Sequence, residues 1–234
     1  MSYCLEGDVV KYSYNYGGIT TESKLFDDSK DLGGEEDSFI QYLIKKIKIY
    51  SGIKNNKEVI GGVQLTYINL KTKEIKELPL RKGDIEYEDE DITTFELLPN
   101  EYLINLFIRF TDDADYIYQL GFETNKKRKI LKGSENGSCK KVYSNGGENI
   151  IIGTFGNFNK KLDSFGILYA NLKDYMKKFY LIYFQLKFKI KKDEKFRKEN
   201  EEKYNSFSNS DKYLFKACLL PDSAFNEIMK FCMF

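Results

Sequence analysis

Residues 153–166 read GTFGNFNKKLDSFG. Apolar residues lead into the stretch and out of it, and between them stand Asn159, Lys160 and Lys161, followed by Leu162 and Asp163. Glycine and asparagine tolerate backbone conformations closed to most residues, so the chain can reverse here. Such a reversal is either a plain turn between two strands or a small pocket. In the pocket reading, backbone N–H groups and one carboxylate hold a polar ligand.

The flanking sequence speaks for strands. IIIGTF (150–155) leads into the turn. Upstream, KIKIY (46–50) alternates charged and apolar residues with period two, and GVQLTYI (62–68) places Val63, Leu65 and Tyr67 on one face. TFEL (94–97), INLFIRF (104–110) and YIYQLGFET (116–124) continue the pattern. Pro99-Asn100, Asp112-Asp113, Asn136-Gly137 and Asn145-Gly146-Gly147 separate these segments as turn signals. Short strands at about ten-residue spacing, with no helical period between them, predict an all-β antiparallel sandwich, barrel or prism. The 18 Tyr and 18 Phe, with no Trp, suit that class.

Composition removes several kinds of chemistry. The chain has no histidine, which excludes His-based acid–base catalysis, Ser-His and Cys-His nucleophile pairs and His-containing zinc sites. Cys4, Cys139, Cys218 and Cys232 are far apart and make no C-x-x-C pair, so reduced thiols are expected, with no metal and no cofactor. The run Asp84–Asp91 holds six acids in eight residues but not the D-x-D-x-D-G spacing of a calcium loop, and reads as a solvated hairpin. Gly33-Gly34 reads as a loop pair, since no phosphate-cradle motif follows it. A net charge of +1 argues against a nucleic-acid partner. The opening MSYCLEGDVVKYSY lacks the apolar core of a secretory signal, and no segment approaches the roughly 20 apolar residues of a membrane span. A cytoplasmic location is therefore expected, with secretion or surface display left for a fragment of a longer chain or a non-classical route.

The last 60 residues have another character. Lys173–Lys203 carries 11 Lys or Arg against 6 Asp or Glu, and residues 191–204 read as a solvated helix or a chain without fixed structure. Pro221-Asp222-Ser223 then opens a segment whose Phe225, Ile228, Met229 and Cys232 fall on one helical face, the mark of a short docking helix.

Five pieces, in order, carry a family resemblance from about Tyr14 to Tyr169. They are Gly17-Gly18 with LFDDS (25–29), IKKIKI (44–49) with VQLTY (63–67), LLPNEYLINLFI (97–108), LGFETN (120–125) and GNFNKKLDSFG (156–166). In these pieces the chain resembles the jacalin-related lectins. The resemblance implies a β-prism I fold, three four-stranded antiparallel sheets with pseudo-threefold symmetry. Residues 1–172 would form the lectin domain and 173–234 a basic, partly helical C-terminal extension.

The resemblance also implies one sugar site, between the first Gly-Gly loop and the last loop. Vicinal hydroxyls both donate and accept, so a carboxylate accepts hydrogen bonds from them while backbone N–H groups donate to their oxygens. Carried over by position, Asp163 is the acid and Asn159 stands at the loop glycine. Lys160 and Lys161 donate backbone N–H groups, Leu162 completes the loop, and Gly17 and Gly18 line the opposite wall. Asn159 is acceptable there because asparagine visits the left-handed region more readily than most residues. The gap from Gly18 to Phe26 is longer than the family pattern, and RKGDIEYEDEDI (81–92) replaces a second Gly-Gly loop, so one site at most is expected.

The functional expectation is a non-enzymatic carbohydrate-binding module. Its glycan would be mannose- or galactose-type, or anionic if the Lys160 and Lys161 side chains take part. Composition alone leaves carboxylate-only glycoside hydrolysis open. The alternative is an intracellular interaction or scaffold protein on the same fold that does not bind sugar. It would take a protein partner through 173–234, and its basic 173–203 stretch could meet an anionic membrane surface. Homo-oligomerisation stays open.

Overall fold

The computed structural model describes residues 9–18, 22–70, 72–83, 88–110, 116–135, 139–143 and 148–176, with backbone alone at 36–37 and 139–143. Three short strands, β1 (Lys11–Tyr12), β2 (Tyr16–Gly17) and β3 (Lys24–Asp27), precede two single-turn helices, α1 (Asp28–Asp31) and α2 (Glu36–Phe39). The long pair β4 (Tyr42–Lys54) and β5 (Lys57–Asn69) follows, then β6 (Ile75–Glu77), β7 (Arg81–Lys82) and β8 (Glu88–Glu96). The chain continues through β9 (Leu103–Phe110), β10 (Ile117–Thr124), β11 (Lys129–Gly133) and β12 (Cys139–Tyr143) to β13 (Asn149–Phe158) and β14 (Leu162–Asn171). All of them lie within one compact unit, Val10–Leu172.

The strands make three antiparallel sheets, each four lanes wide. In the first, β8 pairs β4, β4 pairs β5, and β6 and β7 share the lane beyond β5. The second runs β11, β10, β9, β12. In the third, β3 pairs β13, β13 pairs β14, and β1 and β2 share the outer lane. A single pairing, Ile151 with Leu103, joins the second and third sheets into one hydrogen-bonded surface. This is the all-β prism that the sequence leads one to expect. The helix expected over 221–232 lies outside the described residues.

Local chemistry explains the longest hairpin. Asn55 and Asn56 both take positive φ (52° and 57°) between the paired Lys54 and Lys57. That is the two-residue turn whose twist matches the flanking strands, and asparagine enters it at little cost. Farther along β4, Ile44, Ile47 and Ile49 are all buried although 44 and 47 are three residues apart. Strict alternation would turn one of them outward. A bulge between Ile44 and Lys46 supplies the extra residue and returns the apolar face to the core.

The core sits where the three inner faces meet. Val63, Leu65 and Tyr67 come from the first sheet, Leu106, Leu120 and Phe122 from the second, and Phe165 and Ile167 from the third. Phe122 and Phe165 meet edge-to-face with ring centres 6.2 Å apart, locking β10 to β14. Truncating either ring would cost about 3–5 kcal/mol.

Candidate functional site

The third sheet builds the site. Strands β13 and β14 are joined by 159–161, with Phe158 opposite Leu162 and the Asn159 N–H donating to the Lys161 carbonyl at 3.0 Å. The Asn157 side-chain amide donates to Ser164 Oγ at 2.9 Å beneath the turn. Outside the hairpin, β2 lies along β14, with Gly17 opposite Ser164. Gly17 takes φ +113°, and a Cβ there would strike the Asp163 carbonyl, so only glycine fits without strain. The Gly18 N–H then donates to that same carbonyl at 3.0 Å. The Gly-Gly loop and the acid, far apart in sequence, are thus clamped through their backbones.

The expected site residues fall into two groups. Gly17, Gly18, Asn159, Lys160, Lys161 and Asp163 come together at this end of the third sheet. Leu162 sits in the same hairpin, but its side chain is fully buried and belongs to the core. Lys160 is exposed, whereas the Lys161 ammonium lies 4.4 Å from the centre of the Tyr116 ring, a cation–π contact. Asn159 is not among the positive-φ residues, so the turn closes without the left-handed conformation for which asparagine was suited.

Asp163 itself is only 3% exposed. Its Oδ2 accepts a hydrogen bond from the Ser23 hydroxyl at 2.7 Å. Next to it, the Asn159 side-chain amide donates to Glu22 Oε2 at 3.4 Å. From the other side Gly83 presses its backbone onto the Lys160–Lys161 peptide, so closely that a Cβ would clash with the Lys160 carbonyl and the Lys161 nitrogen. Sequence reading missed Ser23, Glu22, Gly83 and Tyr116. The one signal available was the long gap between Gly18 and Phe26, the segment from which Glu22 and Ser23 come.

A second polar cluster lies deeper. Asp28 is 1% exposed, and its Oδ2 takes three donors: the Tyr67 hydroxyl at 2.6 Å, the Thr154 N–H at 2.8 Å and the Thr154 hydroxyl at 2.7 Å. Burial pushes its carboxyl up to about 6, against the pull of these donors and of the Arg81 guanidinium. Arg81 pairs with Asp31 and lies over the Phe26 ring. With its donors supplied from β5 and β13, this cluster ties α1 to two sheets. Among the described residues no group of three metal-ligating side chains gathers, and no helix is long and apolar enough to cross a membrane.

The jacalin-like lectin domain family matches residues 29–168, more than half of the chain. The chain belongs to that family. No curated protein sequence matches it. Among solved structures, the protein is similar to AcmJRL, a mannose-binding jacalin-related lectin from Ananas comosus, at 21% identity and a TM-score of 0.51, covering 69% of this chain and 98% of that one. It is similar to frutapin, a lectin from Artocarpus incisa, at 20% identity and a TM-score of 0.51, covering 70% and 99%. A third structure, artocarpin complexed with methyl α-mannose, has 18% identity and a TM-score of 0.50, covering 69% and 97%. At these identities the likeness shows the shared prism fold, and membership of the jacalin-like family ties it to carbohydrate binding in general.

Proposed function

We propose that this jacalin-like domain binds a glycan, without catalysis, at the end of the third sheet. Asp163 accepts hydrogen bonds from two hydroxyls of one sugar, and the Lys160 and Lys161 backbone N–H groups donate to the same oxygens. Gly17 and Gly18 form the facing wall. The observation that carries this reading is the backbone clamp from Gly18 to the Asp163 carbonyl, which brings the first loop against the acid-bearing loop. The Ser23 contact supports it too, since an aliphatic hydroxyl already donates to this carboxylate as a sugar hydroxyl would.

Contacts so few, made to a well-solvated ligand, give weak affinity, with Kd roughly between millimolar and micromolar. A mannose- or galactose-type sugar fits this donor and acceptor set. A sulfated one would need the Lys160 side chain, because the Lys161 ammonium is engaged on Tyr116. A glycan array probed with the full chain tests the reading: signal on a coherent set of sugars supports it, and a blank array contradicts it.

The near-complete burial of Asp163 favours a second reading, a prism that binds a protein partner instead of a sugar. A pull-down comparing the full chain with residues 1–172 separates the two. Partner loss on truncation, indifferent to Asp163→Ala, supports the interaction protein.

A further inference from the structure

The carboxylate at the heart of the proposed sugar site is occupied by the chain itself. Ser23 and Asp163 are 140 residues apart in sequence, yet the serine hydroxyl donates to Asp163 Oδ2 at 2.7 Å, a short bond to an ionisable acceptor. The adjoining Glu22 meets Asn159, the first residue of the turn, so two consecutive residues of the first loop touch two members of the last loop. Beneath them the hairpin is held from other directions, by Gly18 on the Asp163 carbonyl, by Asn157 on Ser164 and by Gly83 against the Lys160–Lys161 peptide. None of these supports uses the Asp163 carboxylate. The acid can therefore exchange its hydroxyl partner without the hairpin losing its shape.

We propose that Ser23 is a built-in competitor for the ligand: its hydroxyl holds the place of a sugar hydroxyl on Asp163, and a glycan binds by displacing it. The proposal rests on the lectin reading of Asp163 and adds what sets affinity and selectivity there. An unliganded carboxylate buried to 3% exposure would lack the water that normally solvates it, and the serine hydroxyl makes up part of that loss. A ligand must return at least as much, so it has to bring a hydroxyl donor to Oδ2. A sugar deoxygenated at that position would leave Ser23 in place. Neutral sugars with adjacent hydroxyls are the class that fits, because an anionic group brought to Oδ2 would offer no proton and would meet like charge.

The experiment has two arms on the full chain, comparing wild type with Ser23→Ala and Ser23→Thr. In the first, carbodiimide-driven amide formation at Asp163 is followed by mass spectrometry without any sugar. Expected is slow labelling in wild type and Ser23→Thr and several-fold faster labelling in Ser23→Ala. Equal rates in all three overturn the cap. In the second, methyl α-mannoside and methyl α-galactoside are titrated against the same variants and Asp163→Ala. Removing one competing hydrogen bond should tighten binding about 2- to 10-fold in Ser23→Ala, leave Ser23→Thr near wild type, and abolish binding in Asp163→Ala.

Equal or weaker binding by Ser23→Ala, with wild type still binding, overturns the competitor role and leaves the lectin reading standing. Absence of binding in every variant, together with faster labelling of Ser23→Ala, overturns the lectin reading and with it any competition for sugar. Loss of the fold in Ser23→Ala, seen by circular dichroism, also contradicts the proposal, since a removable cap is not needed for folding.

Discussion

The Tyr67 hydroxyl donates to Asp28 Oδ2 at 2.6 Å inside the prism, where both residues are sealed from solvent. Thr154 adds two more donors to the same oxygen, so one carboxyl at the start of α1 binds β5 and β13 together. Burial outweighs these donors and raises the carboxyl to about 6 from an ordinary 3.8. The folded protein thus holds this proton more tightly than the unfolded chain between those two values. Asp28 makes stability fall as pH rises from about 4 to about 6, by roughly 3 kcal/mol, and adds no further change above that window. Asp28→Asn should remove this slope in urea unfolding measured from pH 4 to pH 7. Asp28→Ala should cost about 3–5 kcal/mol at pH 7, because Tyr67 and Thr154 lose their acceptor.

Glu101 is the reverse case. Its buried carboxylate accepts from the Leu98 N–H at 2.7 Å, the Thr124 hydroxyl at 2.7 Å and the Arg128 guanidinium at 2.6 Å. Burial alone would raise its pKa, but these partners together hold it below the ordinary value. Its stabilising contribution is therefore complete above the ordinary glutamate pKa and is lost as pH falls through the depressed one. Glu101→Gln should move the acid-unfolding midpoint upward. Glu101→Ala should destabilise by about 2–4 kcal/mol at neutral pH, the half-exposed Arg128 keeping the figure below that of a fully buried pair.

Gly83 lies against the peptide that joins Lys160 to Lys161, although it belongs to the first sheet's end of the chain. A methyl group there has to move that peptide or be moved by it. Gly83→Ala is expected to leave the circular dichroism spectrum unchanged, to shift the 160 and 161 amide resonances, and to weaken glycan binding several-fold. Unchanged amide positions would show that Gly83 does not set the loop.

Much of the prism was legible in the sequence because its strands obey a period of two and its turns use asparagine and glycine. The KIKIY and GVQLTYI segments fall inside β4 and β5, and the acidic run is exposed where it is described, at Glu88–Asp91. Strand lengths were underestimated: β4 runs from Tyr42 to Lys54, and register shifts at Ile44/Lys46 and Tyr50/Ser51 carry the pairing past two breaks in alternation. The nearness of Gly17, Gly18 and Asp163 could be anticipated only through the family pattern. Ser23 and Gly83 could not, since their contacts with the last hairpin span 140 and nearly 80 residues and leave no local periodicity. Asp28 stood in plain view within LFDDS, but a carboxyl about to be buried looks the same in sequence as one in solvent.

The role proposed for Asp163 is to receive a sugar. The most direct measurement titrates methyl α-mannoside, methyl α-galactoside and a sulfated galactoside into the isotope-labelled full chain, following backbone amides by NMR in wild type, Asp163→Asn and Asp163→Ala. The expected result is saturable movement of the 17–18 and 156–166 amides with at least one neutral sugar in wild type, lost in Asp163→Ala and much reduced in Asp163→Asn. No movement with any of the three, or movement that persists unchanged in Asp163→Ala, would contradict it.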